Sequence, residues 1–206
     1  MPRQLDFYNL LIRVPAVLFA ISFHEFCHGY AAKLLGDRTA EMQGRLTLNP
    51  LKHFDPVGAL MLLFVGFGWA KPVPVNSRYF KHIKRDMFIV SIAGIAGNLL
   101  TAFVFVMIKK TMPVSVSMNL GMAGFLFIEY MIFINVGLAA FNIIPIPPLD
   151  GSKILYGFIP FRWLRFYYML EQYGFIILLV LVFTRLIDII MLPVMRFFLL
   201  LVGYFN

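Results

Sequence analysis

Residues 7–35 read FYNLLIRVPAVLFAISFHEFCHGYAAKLL. Between Arg13 and Lys33 the only formally charged side chain is Glu25. At about 1.5 Å of rise per residue, the stretch crosses a bilayer with length to spare. Its C-terminal half nevertheless carries His24, Glu25 and His28. Ionisable side chains inside a membrane helix are costly to hold there and mark functional positions. This stretch therefore predicts a membrane helix that carries chemistry.

The composition extends that reading to the whole chain. Of 206 residues, 61% are hydrophobic and 14% are charged, and the mean hydropathy is +0.83. A soluble domain of this size cannot bury so much apolar surface behind a charged exterior. The expected class is an all-α polytopic membrane protein with about four to six transmembrane helices. After Phe7–Leu35, spans are predicted at 87–108, 120–144 and 173–192. Residues 152–170 mix aromatic and basic side chains and suit an interfacial segment, and 193–205 is short for another span. The apolar run 57–70 (VGALMLLFVGFGWA) is also short and contains Gly66 and Gly68. It reads as a re-entrant or β-hairpin element, which must be buried in protein or line a cavity. The alternation GRLTL at 44–48 reads as a short strand.

No repeat, low-complexity tract or soluble appendage stands out. One domain is expected over 1–206, with a catalytic core at about 7–155 and further membrane segments at 156–206. The single cysteine, Cys27, excludes an internal disulfide. The first helix lacks the features of a removable signal peptide.

The formal net charge of +8 comes from 18 Lys+Arg and 10 Asp+Glu. With this hydropathy it does not point to nucleic acid; it points to basic loops facing anionic lipid. If 57–70 returns to its own side, Lys33, Arg38, Arg45, Lys52, Lys71, Arg78, Lys81, Lys84, Arg85, Lys153, Arg162 and Arg165 share one face. Arg3, Lys109 and Lys110 lie on the other. The richer face is the expected cytoplasmic one.

His24-Glu25-Phe26-Cys27-His28 fits the HExxH pattern. Positions i and i+4 lie on one face of a helix, so the two imidazoles can bind one metal ion. Glu25, a third of a turn away, can serve as general base on a water at that metal. His24 lies about 14 Å along the helix from Lys33. A polar cluster or proton relay is the competing reading of the same residues. Cys27 points away from His28 and reads as a packing thiol.

Two imidazoles leave a catalytic zinc one protein ligand short. His53 and His82 sit in basic loops and read as solvated. Asp150 follows the third long apolar run on the same expected face. It can be a ligand, or the N-cap of a helix starting at Gly151. Asn142 and Asn98 can be hydrogen-bonded links between membrane helices. Gly94 and Gly97 predict close helix approach.

HEFCH in the first span, with Asn142-Ile-Ile-Pro-Ile-Pro-Pro-Leu-Asp150-Gly151 after the third, resembles the site-2 protease family of intramembrane zinc metalloproteases. The likeness is to its short bacterial branch, without PDZ or CBS domains. GRLTLNPLKHFDPVG at 44–58, GWAKPVPVN at 68–76 and AGIAGNLL at 93–100 are similar to that branch as well. The resemblance covers roughly 15–155. It implies one Zn2+ held by His24, His28 and Asp150, with Glu25 as catalytic base. It places Asn142 near the scissile carbonyl, where an amide could stabilise an oxyanion. Gly-Ile-Ala-Gly-Asn at 94–98 departs from a family pattern that often has Pro before its small residue, which touches packing and not the zinc set.

The implied substrate is a single-pass or membrane-tethered protein, cleaved in or near its transmembrane segment in regulated proteolysis. The implied location is a bacterial cell membrane, with the site opening to the cytoplasm. Such a substrate must unwind, and its freed backbone groups then need partners. The strand at 44–48 and the segment 71–76 are candidate edges for it. Two other classes use the same cluster. A metal-ion or proton transporter would pass its cargo through these groups, although inverted repeats are lacking. An inactive zinc scaffold would usually have lost the Glu of HExxH, and Glu25 is present.

Overall fold

The computed structural model describes residues 7–65 and 68–205. Among these the chain is all helical, with eight α-helices and no strand. In chain order they are α1 (Phe7–Leu34), α2 (Thr39–Met42), α3 (Pro56–Val65), α4 (Ile83–Thr111), α5 (Val114–Asn142), α6 (Asp150–Phe158), α7 (Leu164–Phe183) and α8 (Leu186–Leu201). Four are long and apolar enough to cross a membrane: Tyr8–Leu34, Ile83–Thr111, Leu120–Asn142 and Leu164–Phe183. Large apolar side chains on their outer surfaces, such as Leu100, Ile176 and Phe183, are exposed as lipid-facing positions should be. The chain is an all-α polytopic membrane protein.

The central unit is α4 and α5, with α1 packed across both. Ile95, Ala102 and Val106 of α4 meet Ile132, Val136, Ala139 and Ala140 of α5. Phe198 and Leu199 of α8, with Val202 just beyond it, close this core from a third side. Hydrocarbon outside is as apolar as the core, so close packing and interhelical hydrogen bonds must hold the helices together. Small residues permit it. Ala16, Ala20 and Ala32 of α1 are fully buried, and Gly97 of α4 lies so close to α1 that a Cβ there would stand 2.5 Å from Cys27 Sγ. Cys27 is the packing thiol expected of it.

The segment between α1 and α4 departs from expectation in two respects: Pro56–Val65 is helical rather than part of a β-hairpin, and 44–48 is not a strand. The strand at 44–48 is absent, because its backbone is satisfied locally. Gly44 turns the chain at a φ of 63°, and Arg45 N–H donates to the Ala40 carbonyl at 2.8 Å. The Thr47 carbonyl accepts from His53 Nε2 at 2.9 Å. The re-entrant part of the expectation holds. Lys71 N–H donates to the His53 carbonyl at 2.9 Å, so the chain returns after α3 to where it set out. Residues 66 and 67, which include Gly66, lie outside the described residues. Beyond them a segment without regular secondary structure runs over 68–76. It is pinned by Arg45, whose guanidinium donates to the carbonyls of Lys71 and Pro72 at 3.0 Å each. Asp37, buried at the end of α1, accepts from Asn76 N–H at 2.6 Å.

The C-terminal register also differs. The span predicted at 173–192 starts nine residues earlier, at Leu164, and ends at Phe183. Thr184 and Arg185 break the helix, with Arg185 in the left-handed region at a φ of 60°. The chain then continues as the 16-residue α8.

Candidate metal centre

α1 sets His24 and His28 one above the other, their ring centroids 4.4 Å apart and their planes at 89°. Each ring is oriented from behind. His24 Nδ1 lies 2.6 Å from Asn98 Oδ1, and His28 Nδ1 lies 2.7 Å from the Val90 carbonyl. Both partners are acceptors, so each Nδ1 must carry the proton. Each Nε2 is thereby left with a free lone pair pointing into the site. The two Nε2 atoms are 2.9 Å apart. Asp150 Oδ2 completes the triangle, 3.1 Å from His24 Nε2 and 2.9 Å from His28 Nε2.

Two lone pairs and a carboxylate oxygen converging at that range repel one another unless a cation stands between them. Zinc ligands about 2.1 Å from a tetrahedral ion are about 3.4 Å apart, so the triangle needs to open by only a few tenths of an ångström. His24, His28 and Asp150 are all buried, and they are the group among the described residues that could hold a metal ion. The donor set fits zinc, with an open fourth position.

Asp150 reaches this point from 126 residues away. Leu149 is the N-cap of α6 and Asp150 its first helical residue, so the capping role is not the one it plays. Gly151 makes the approach possible, because a Cβ there would collide with the carbonyl oxygens of Ile143 and Ile144. Lys153 Nζ holds the other carboxylate oxygen of Asp150 at 3.2 Å. Burial opposes ionisation of Asp150, and the ammonium of Lys153 beside it favours the carboxylate.

Behind His24 lies a fully buried amide chain. Asn98 Nδ2 donates to Asn135 Oδ1 at 2.8 Å and to the Ala20 carbonyl at 3.2 Å. Asn135 Nδ2 donates to the Met131 carbonyl at 2.7 Å. Asn98 therefore both links helices and orients His24. Asn135 was not singled out from the sequence. Its signal was available: a lone amide amid apolar residues, seven positions and so two turns before Asn142 on the same face of α5.

Glu25 lies beside the triangle, its Oε2 accepting Val73 N–H from the 68–76 segment at 2.7 Å. Among the described residues Asn142 makes no hydrogen bond across the site. Its Nδ2 donates back to the Leu138 carbonyl at 3.0 Å. His24, Glu25 and Asn142 line two adjoining cavities of about 120 and 690 Å³. Asp150 and His28 line the smaller one. The larger extends between the 68–72 backbone and α7, where Trp69 meets Phe175 edge-on at 5.6 Å. His82 is exposed as expected. His53 is not: it is buried among the turns it holds together. Neither belongs to the metal-binding group.

Two imidazoles from one helix and a carboxylate from a distant one, with a glutamate at the same cavity, define a zinc metalloprotease built into a membrane protein. Comparison with known proteins agrees. The profile of peptidase family M50 matches residues 106–181, the part that holds Asn142 and Asp150. YwhC of Bacillus subtilis, named as a zinc metalloprotease, is 40% identical over 188 residues, covering 89% of this chain and 85% of that protein. Rip2 of Mycolicibacterium smegmatis, also named as a zinc metalloprotease, is 32% identical over 190 residues, covering 88% of this chain and 71% of that protein. No solved structure matches. The chain belongs to peptidase family M50, the site-2 protease family.

Proposed function

We propose that this protein hydrolyses peptide bonds in or near the transmembrane segments of single-pass or membrane-tethered proteins, as a regulated intramembrane protease. It would do so as one domain over 1–206 with its core at about 7–155, in a bacterial cell membrane, with the site open to the cytoplasmic face. The observation that carries the reading is the convergence of His24, His28 and Asp150 within 3.1 Å of one another beside Glu25. In this reading His24, His28 and Asp150 are the zinc ligands.

A zinc ion held there supplies a lowered pKa for water and Lewis-acid polarisation of the scissile carbonyl. The protein's own groups do the rest. Glu25 uses Oε2 to accept Val73 N–H, which leaves Oε1 to take the proton of the attacking water and pass it to the departing amine. Asn142 spends one amide hydrogen on Leu138 and keeps a second for the developing oxyanion. The larger cavity receives the unwound substrate, whose freed backbone groups find the 68–72 segment along one wall.

The test compares purified wild type with Glu25→Gln. Both should hold one zinc per chain, and only wild type should cleave single-pass membrane substrates. Equal cleavage by the two proteins would remove Glu25 from its role. Zinc flux through reconstituted vesicles without cleavage would replace the protease reading with a transporter.

A further inference from the structure

Glu171 sits on α7, seven residues beyond its first residue and so about 10 Å into a membrane-spanning helix. It has no ion pair and no hydrogen bond among the described residues. A carboxylate at such depth is costly unless it faces water or a positive partner. Its place resolves the first half of that requirement. Tyr167, Glu171, Phe175 and Leu178 follow one another at helical spacing and all line the 690 Å³ cavity shared with His24 and Glu25. The second half is unmet among the described residues. Among the described residues Lys153 is the one Lys or Arg lining that cavity, and its ammonium is already engaged by Asp150 at 3.2 Å. The remainder of the lining is mainly apolar, as at Leu138, Phe141 and Trp69.

We propose that Glu171 is a specificity-determining residue, the counter-ion in the substrate cleft for a Lys or Arg side chain close to the scissile bond. The proposal rests on the protease reading of the site. A cavity of about 690 Å³ is roughly 11 Å across if compact, the reach of about three extended residues. The basic residue therefore belongs within about three positions of the cleaved bond. A basic residue at that distance fits a substrate cut where its transmembrane segment meets a positively charged flank. An acidic residue in the same position would meet Glu171 in a cleft of low dielectric and be rejected.

The experiment uses single-pass substrates in proteoliposomes. They carry Lys, Leu or Glu at each of the three positions on either side of the scissile bond. Wild type, Glu171→Gln and Glu171→Lys are compared, each rate being divided by that protein's own rate on the Leu substrate. The Kd of the corresponding peptides is measured in parallel in the Glu25→Gln background. At one or more positions wild type should prefer Lys over Glu by about tenfold or more, chiefly through KM and Kd. Glu171→Gln should bring the ratio close to one, and Glu171→Lys should invert it. Zinc content shows that each variant keeps its fold. A Lys-to-Glu ratio that is the same in all three proteins would overturn the assignment and leave the protease reading intact. No cleavage of any substrate by zinc-loaded wild type would overturn the protease reading, while the Kd ratios would still decide whether Glu171 selects charge.

Discussion

Gly94 offers the sharpest test of the metal centre, because it shapes the site without touching a metal. A Cβ added there would lie 2.5 Å from Cε1 and Nε2 of His28 and 2.7 Å from Cε1 of His24. Ordinary contact begins at 3.4 Å. The His28 ring must then retreat by about 0.9 Å, or α4 must back away from α1. Metal sites tolerate about 0.2 Å in ligand placement. The rings cannot simply slide, since their Nδ1 atoms are bound behind at 2.6 and 2.7 Å. Backing α4 away is no easier, because Gly97 meets Cys27 with equal closeness one turn later. Gly94→Ala should therefore weaken zinc binding by about 100-fold or more, abolish cleavage, and cost about 1–3 kcal/mol in stability through overpacking. Gly157→Ala is the control, since its Cβ would find its nearest neighbour, Phe88 Cβ, at 3.4 Å. That change should be neutral, or stabilising by about 0.4–1 kcal/mol, because alanine reduces the conformational freedom of the unfolded chain. A competition titration against a chelator measures the zinc affinity, and thermal unfolding in detergent measures the stability. A Gly94→Ala protein with wild-type zinc affinity and cleavage would refute the close-packed geometry.

Asn98→Ala removes the acceptor that orients His24 and should lower zinc affinity about 10–100-fold, while Asn98→Asp, which keeps an acceptor, should lose less in the same titration. At the far end of α4, Lys109 pairs with Glu129, whose other oxygen accepts from Tyr204 at 3.0 Å. Glu129→Gln should destabilise the protein by about 1–3 kcal/mol, seen as a lower Tm in detergent with zinc affinity unchanged. Asp37→Ala releases Asn76 and Thr39, so the 68–76 segment should loosen. Cleavage should then fall while zinc stays bound, and trypsin should cut faster at Arg78; unaltered proteolysis would mean that Asp37 does not hold the segment.

How much of this was legible in the sequence depended on how local the determining physics was. The spans were readable because a bilayer demands about twenty apolar residues in a row. Their register at α7 was not. Arg162, Arg165 and the surrounding aromatics resemble an interface, and the break at Thr184–Arg185 uses neither Gly nor Pro. The alternation at 44–48 suggested a strand, but a strand is made by its partner, and here Ala40, Asn49 and His53 satisfy the segment as turns. His24, Glu25 and His28 stood out because one helical turn brings the two imidazoles together. Asp150 did not follow from spacing, since the contact spans 126 residues; its place on the same expected face and its surrounding motif pointed to it. The groups behind the ligands divide in the same way. Asn98 and Asn135 leave a trace, as amides where apolar residues belong. The Val90 carbonyl and the Val73 N–H leave none, because every residue carries that carbonyl and all but proline that amide. Half of what orients this centre is thus main chain, placed by helix packing around Gly94 and by the return of the re-entrant segment.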